Sequence, residues 1–181
     1  MEALIKLIAM QDESALKELY RLMQHRIVAF AMQRLDNAEL AEEVMVETLF
    51  EVWNHASSYA GQTKASTWIL GIARHKALDK VRGRNNLIEP LLDAHLEIAS
   101  DEMTQLDRVD AQQQHGALQG CIKQLSIVQR ECVHFAFYQD LSMEDIARLQ
   151  ACPVNTVKTR LFHARRNLAV CMTTRGHGSQ S

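Results

Sequence analysis

The sequence predicts an all-α protein, built as two small helical domains joined by a flexible acidic linker. Three observations carry this. The chain of 181 residues holds only two prolines and seven glycines and is rich in helix formers such as Leu, Ala, Gln and Glu. Its apolar residues recur at helical spacing, and no stretch alternates as a strand does. Between 85 and 110 that periodicity gives way to Asn-Asn, Pro90 and a run of acids (Glu89, Asp93, Glu97, Asp101, Glu102, Asp107, Asp110) against Arg108 alone. The reading places domains at 1–84 and 111–172, a linker at 85–110 and a disordered tail at 173–181. A chain of this length, 47% hydrophobic, buries one ordinary core or two small ones.

The first domain opens with apolar positions Leu4, Leu7 and Ile8, then Leu16, Leu19, Tyr20 and Met23, then Ile27, Phe30 and Ala31. A second helix starts near Ala38, with Leu40, Val44, Leu49 and Val52 among its apolar positions. SSYAGQTK, around Gly61, reads as a turn. A third helix runs from Ser66 to about Arg82 on a stripe of Ile69, Ile72, Ala73, Ala77 and Val81. Gly71 inside it costs about 1 kcal/mol relative to Ala. Trp53 and Trp68 lie within apolar stripes and read as core rather than as stacking surfaces.

In the second domain, Ser126 with Gln129 gives a capping box ahead of a helix carrying Val128, Cys132, Val133, Phe135 and Ala136. Ser142 with Asp145 marks another helix start, with Ile146, Ala147 and Leu149 facing inward. LQAC is the turn, and Pro153 at the first helical position opens the next helix. A short helix, a tight turn and a longer helix make a helix-turn-helix. Val154, Val157, Leu161 and Ala164 pin the last helix to the core. That leaves Asn155, Thr156, Lys158, Thr159, Phe162, His163, Arg165 and Arg166 on the exposed arc.

The net charge of −2 conceals a segregated pattern. From 36 to 61 the charged residues are Asp36, Glu39, Glu42, Glu43, Glu47 and Glu51. From 62 to 84 they are Lys64, Arg74, Lys76, Lys80, Arg82 and Arg84, against Asp79 alone; from 153 onward Lys158, Arg160, Arg165, Arg166 and Arg175 meet no acid. Basic blocks of this kind suit nucleic acid, because neutralising phosphates releases counterions. No apolar run approaches the roughly 20 residues of a membrane span, and the N-terminus lacks a signal peptide's basic start, so a soluble cytoplasmic chain without membrane insertion is expected. A Gly-rich phosphate loop, an HExxH and a nucleophile–base pattern are all missing, so neither an enzyme nor a cofactor is expected. Cys121, Cys132, Cys152 and Cys171 form no CxxC pair and read as reduced, buried thiols. A zinc set of Cys132, His134, Cys171 and His177 matches no usual ligand spacing, and no metal site is expected.

DLSMEDIARLQACPVNTVKTRLFHARRNL, preceded by LSIVQRECV, resembles region 4 of a bacterial RNA polymerase sigma factor. LAEEVMVETLFEVW resembles region 2.2, and STWILGIARHKALDKVR resembles regions 2.3 and 2.4. Over about residues 5–172 the chain resembles the sigma-70 family's extracytoplasmic-function (ECF) subgroup, which keeps domains 2 and 4 alone. The resemblance implies a factor that binds the polymerase core and directs promoter recognition and transcription initiation. Its partners would be the core's β′ coiled coil and β flap, promoter DNA and an anti-sigma factor. The contrasting reading is a free-standing helix-turn-helix regulator. An adaptor with no DNA role would leave both basic blocks unexplained.

The resemblance also implies roles for residues. Glu39, Glu42, Glu43, Val46, Glu47 and Phe50 would face the polymerase core. Tyr59, Gln62, Thr63, Lys64 and Ala65 would form the loop holding a flipped base of the −10 element, and Arg74, His75, Lys76, Lys80 and Arg82 would approach its strand. Lys158, Thr159, Phe162 and His163 would contact bases of the −35 element, while Thr156, Arg160, Arg165 and Arg166 would hold phosphates. The chain departs from the family pattern at Ala65, where aromatics are common, at His75 in place of Asn, at Gly71 in place of a larger residue, and at Asn155 in place of Gly. The proline usual after the Leu-Ser of LSIVQRE is also missing. These departures touch promoter preference rather than fold. The acidic linker would let the domains close on a partner or spread along a promoter, or would itself cover the basic faces.

Overall fold

The computed structural model describes residues 1–87 and 109–176. Among them every element is helical. Most of the linker expected at 85–110, and residues 177–181 of the expected tail, lie outside the described residues.

Helix α1 (Glu2–Ala9) and helix α2 (Glu13–Leu35) are separated by Gln11, whose φ of 64° lies in the left-handed region. Asp12 restarts the chain as an N-cap, its Oδ1 accepting from the backbone N–H of Ser14 at 2.8 Å and Ala15 at 3.1 Å. The break resets the phase of the apolar stripe. Ile5 and Ala15 turn inward, while Leu7 and Tyr20 remain on the surface. Asp36 ends α2 in the left-handed conformation, and Asn37 caps α3 (Ala38–His55) through Leu40 N–H at 2.9 Å. A single 3₁₀ turn, Ala56–Ser58, leads into the loop before α4 (Ala65–Leu87). Leu19, Met23 and Ile27 of α2, Val44 and Val52 of α3, and Ile69, Leu70, Ala73 and Ala77 of α4 close this unit's core.

The second unit holds α5 (Val109–Lys123), α6 (Ile127–Val133), α7 (Met143–Leu149) and α8 (Val154–Gly176). Ser126 Oγ caps α6 at Gln129 N–H, and Ser142 Oγ accepts from Asp145 N–H at 3.1 Å while donating to that residue's carboxylate at 2.8 Å. Helix α6 runs on into a π turn, His134–Tyr138. Pro153 stands one residue earlier than expected. It precedes the helix, and its carbonyl accepts from Thr156 N–H at 2.9 Å. Val157, Leu161 and Ala164 are buried as the spacing requires, and Val128 is exposed. Helix α8 continues to Gly176, through residues expected to begin a disordered tail.

One expectation is overturned. Cys121 of α5 and Cys171 of α8 form a disulfide, S–S 2.05 Å, rather than standing as reduced thiols. Packing of α5 on α8 brings their Cα atoms to 5.9 Å, inside the range a bridge needs. Nothing in a separation of 50 residues announces that proximity. The bridge also removes Cys171 from any zinc set, and His177 lies outside the described residues. Cys132 stays a free thiol that burial pushes up to a pKa of about 11.

The two units pack directly on each other. Phe30 of α2 stacks on Phe135 beyond α6, ring centroids 5.1 Å apart and planes 16° off parallel. Arg26 donates to the Gln139 side-chain oxygen at 2.7 Å and to its backbone carbonyl at 3.1 Å. The Gln139 amide donates in turn to Arg26 O at 3.2 Å and to His134 Nε2 at 2.9 Å. An accepting Nε2 makes His134 the neutral ring. Burial, aided by the Arg26 charge, pushes its pKa down to about 4.

Two predictions arise. A histidine with folded pKa near 4 and an unfolded value near 6.5 leaves stability intact above pH 6.5 and erodes it as pH falls toward 4. The loss at pH 5 is about 2 kcal/mol in urea unfolding, and His134→Gln flattens that slope. Reducing the disulfide, which spans 50 residues, lowers stability by up to about 4 kcal/mol on the chain-entropy estimate, read as a shift of the urea midpoint with reductant.

Candidate nucleic-acid interface

The outer face of α3 presents Val46 and Phe50, 59% and 66% exposed, an apolar pair left in solvent beside Glu39, Glu42 and Glu43. The acids are not all free for a partner. Lys80 of α4 donates to Glu43 and Glu47, both at 2.7 Å, and Lys76 donates to Glu51 at 2.9 Å. These bonds raise the Lys80 pKa, chiefly through Glu43, and hold Glu51 below the usual carboxylate range, chiefly through Lys76. Residues expected at the core and residues expected at DNA therefore meet across α3 and α4.

In the loop before α4, Tyr59 is half-buried. Its hydroxyl donates to the Thr63 carbonyl and its ring lies 5.3 Å from that of Trp68. Burial, with the Glu2 carboxylate nearby, raises the Tyr59 pKa. Gln62 and Lys64 are exposed at the tip, whereas Ala65 is a core residue whose side chain does not reach the surface. Trp53 and Trp68 are half-buried against the core. Along α4, His75 and Arg82 are exposed, Arg82 lying 3.6 Å from Asp79. Arg74 differs. It is 16% exposed and turned into the second unit, where its Nε donates to Glu131 at 3.3 Å.

On α8 the arc expected to read bases is open. Lys158, Thr159, Phe162 and His163 are all exposed, Phe162 at 64%. Thr156 is half-buried and Arg166 exposed. Arg165 lies 5.3 Å over the ring of Phe137, an exposed aromatic that the sequence reading passed over. Arg160 points inward, donating to the Gln150 side-chain oxygen at 2.7 Å and lying 3.4 Å from Cys152 Sγ.

Gln150 belongs to a polar cluster that periodicity did not reveal. Its amide donates to Glu131 at 3.1 Å and to Val128 O at 3.2 Å, and its oxygen also accepts from the Cys132 thiol at 3.0 Å. Glu131 is 4% exposed and pairs with both Arg34 of α2 and Arg74 of α4. A glutamate inside LSIVQRECV, flanked by the buried Cys132 and Val133, was the available signal for a buried acid.

Residues 19–86 match the family described as Sigma-70 region 2, and residues 115–168 match Sigma-70, region 4. The chain belongs to the sigma-70 family. It is similar to the ECF RNA polymerase sigma factor SigK of Mycobacterium tuberculosis strain H37Rv, 29% identical over 187 residues that span 95% of this chain and 93% of the relative. SigK of Mycobacterium ulcerans is 28% identical over 177 residues, with 95% and 93% covered. These relatives place this sigma factor in the ECF group. Its fold resembles CnrH in complex with the cytosolic domain of CnrY, TM-score 0.69 at 15% identity, covering 96% of this chain and 97% of that one. It also resembles the sigma factor RpoE bound to the anti-sigma factor NepR from Bartonella quintana, TM-score 0.67 at 22% identity, covering 87% and 96%. No helix among the described residues is long and apolar enough to cross a membrane.

Replacing Gln150 by Leu strips partners from Glu131, Arg160 and the Val128 carbonyl together. Urea unfolding then shows a loss of about 1–3 kcal/mol, while Lys158→Ala on the open arc stays within about 0.5 kcal/mol of the parent.

Proposed function

We propose that this sigma factor binds RNA polymerase core through the outer face of α3 and directs initiation at promoters read by two separate surfaces. The loop at 59–65 and the exposed side of α4 engage the −10 element, with Gln62, Lys64, His75 and Arg82 placed to do so. Lys158, Thr159, Phe162 and His163 meet bases of the −35 element, and Thr156, Arg165 and Arg166 hold its phosphates, while Arg160, turned inward onto Gln150, supports the helix from behind. Domain 2 spans 1–84 and domain 4 spans 111–172.

The observation that carries this is the open arc of α8 occurring in one chain with the exposed Val46–Phe50 pair on α3. A free-standing regulator would need the first surface only. Apolar contact at Val46 and Phe50 supplies affinity, while Glu39 and Glu42 at the rim set on-rate and specificity. The β′ coiled coil and the β flap of the core are the expected docking elements. An anti-sigma partner is supported by the likeness to RpoE, described in complex with one. The setting is cytoplasmic, where polymerase and promoters are, and the chain acts without a cofactor as an initiation factor rather than an enzyme.

The test is transcription with purified core on a fragment library of genomic DNA, mapping start sites. Starts that require both chain and core and share spaced −35 and −10 elements support the reading; duplex binding without core-dependent starts favours the free-standing regulator. Phe162→Ala costs about 1–3 kcal/mol on matched promoters and relaxes the −35 preference, whereas Arg165→Ala weakens all sequences alike and shallows the salt dependence.

A further inference from the structure

Phe137 lies outside every role assigned so far. Its side chain is 57% exposed, on the π turn whose first two residues, His134 and Phe135, are buried. The turn is pinned on either side of it. Gln139 N–H donates to the His134 carbonyl at 3.1 Å, and the Gln139 amide donates to His134 Nε2 at 2.9 Å. The Tyr138 ring stacks on the His134 ring, centroids 5.4 Å apart and planes 13° off parallel. Phe137 is therefore an exposed ring on a fixed support, and the group that stands over it is a cation. Arg165 Cζ lies 5.3 Å from its centroid.

Arg165 follows Phe162 by three residues on α8, so it borders the side chains placed to read bases. Among the described residues its guanidinium makes no hydrogen bond or ion pair. In this it differs from the two arginines that turn inward: Arg160 gives a donor to Gln150 and Arg74 gives one to Glu131. A guanidinium held by a ring rather than by an acceptor keeps its N–H groups free, and those groups are what grip a phosphate. Its side chain is also ordered before the duplex arrives, which lowers the entropy lost on binding.

We propose that Phe137 is a positioning residue for DNA, its ring holding the Arg165 guanidinium ready for a backbone phosphate. The phosphate role of Arg165 rests on the proposed function; the stacking does not. The DNA-facing surface then reaches beyond the helix-turn-helix to the turn ahead of it.

Phosphate contacts carry no sequence information, so the probe is a randomised duplex pool, titrated with the full chain over a range of salt. Parent, Phe137→Leu, Arg165→Ala and the double variant form a cycle. Leucine at this exposed position keeps an apolar side chain, so the urea midpoint stays at the parent's while the ring face is lost. A cation–π contact at an exposed site corresponds to roughly two- to fivefold in binding, and Phe137→Leu weakens pool affinity by about that factor. Phe137→Trp restores it. In the Arg165→Ala background Phe137→Leu costs nothing further, and Arg165→Ala lowers the salt slope by about one. Without DNA, the Arg165 side-chain protons leave the ring's shielding in Phe137→Leu and move downfield in the NMR spectrum.

An equal loss from Phe137→Leu with and without Arg165 overturns the proposal, because the ring then acts on its own. So does a Phe137→Leu chain that binds as the parent does while Arg165→Ala binds weakly, and so do Arg165 resonances that Phe137→Leu leaves in place. If Arg165→Ala does not change pool affinity, the phosphate role and the positioning role fall together. Core-dependent start sites, mapped separately, decide the promoter reading.

Discussion

The arrangement depends on a buried carboxylate. Glu131 is removed from water, where an isolated charge would be untenable, and Arg34, Arg74 and Gln150 surround it. Such a cluster adds little net stability, since desolvating the ions offsets most of their attraction. What it imposes is geometry. Both arginines must point inward, Gln150 must keep its amide toward Glu131, and its oxygen is then free for Arg160. The register of domain 4 on domain 2 follows from these requirements, with Phe30 on Phe135 adding area and Arg26 with Gln139 closing the other end.

The helices themselves were legible because their signals are local. Ser126, Ser142 and the 3.6-residue spacing of Val157, Leu161 and Ala164 located α6 to α8 and sorted the faces of α8 correctly. The break at Gln11 was missed although Asp12 and Glu13 carried a start signal, and that shifted the inward positions of α1 and α2. The Cys121–Cys171 bridge was out of reach for another reason: it depends on how α5 lies on α8, which no spacing encodes.

The basic residues show the same limit within the candidate site. A sequence assigns arginines to solvent by default, and for Arg82, Arg165 and Arg166 that holds. Arg74 and Arg160 turn inward because acceptors lie 57 and 10 residues away in sequence, on other helices. Gly71 illustrates the converse. Taken alone it is a weak point in α4; beside Leu149 it is the small residue that lets two helices approach.

Two kinds of charge pair then divide the work. Lys80 with Glu43 and Glu47, and Lys76 with Glu51, lie at the surface, where an ion pair contributes about 0–1 kcal/mol and a partner's charge replaces it readily. A cation from outside can take Glu43 and Glu47 from Lys80 at almost no cost to the fold. Glu131 offers no such exchange. Removing one member of a buried cluster typically costs 3–5 kcal/mol, because the charge left behind has no solvent to return to. Surface pairs can therefore trade partners while the domains remain together. Separating the two units would bring Glu131, Arg34 and Arg74 to water together, and a ligand could shift that balance only by as much as it binds one arrangement more tightly than the other.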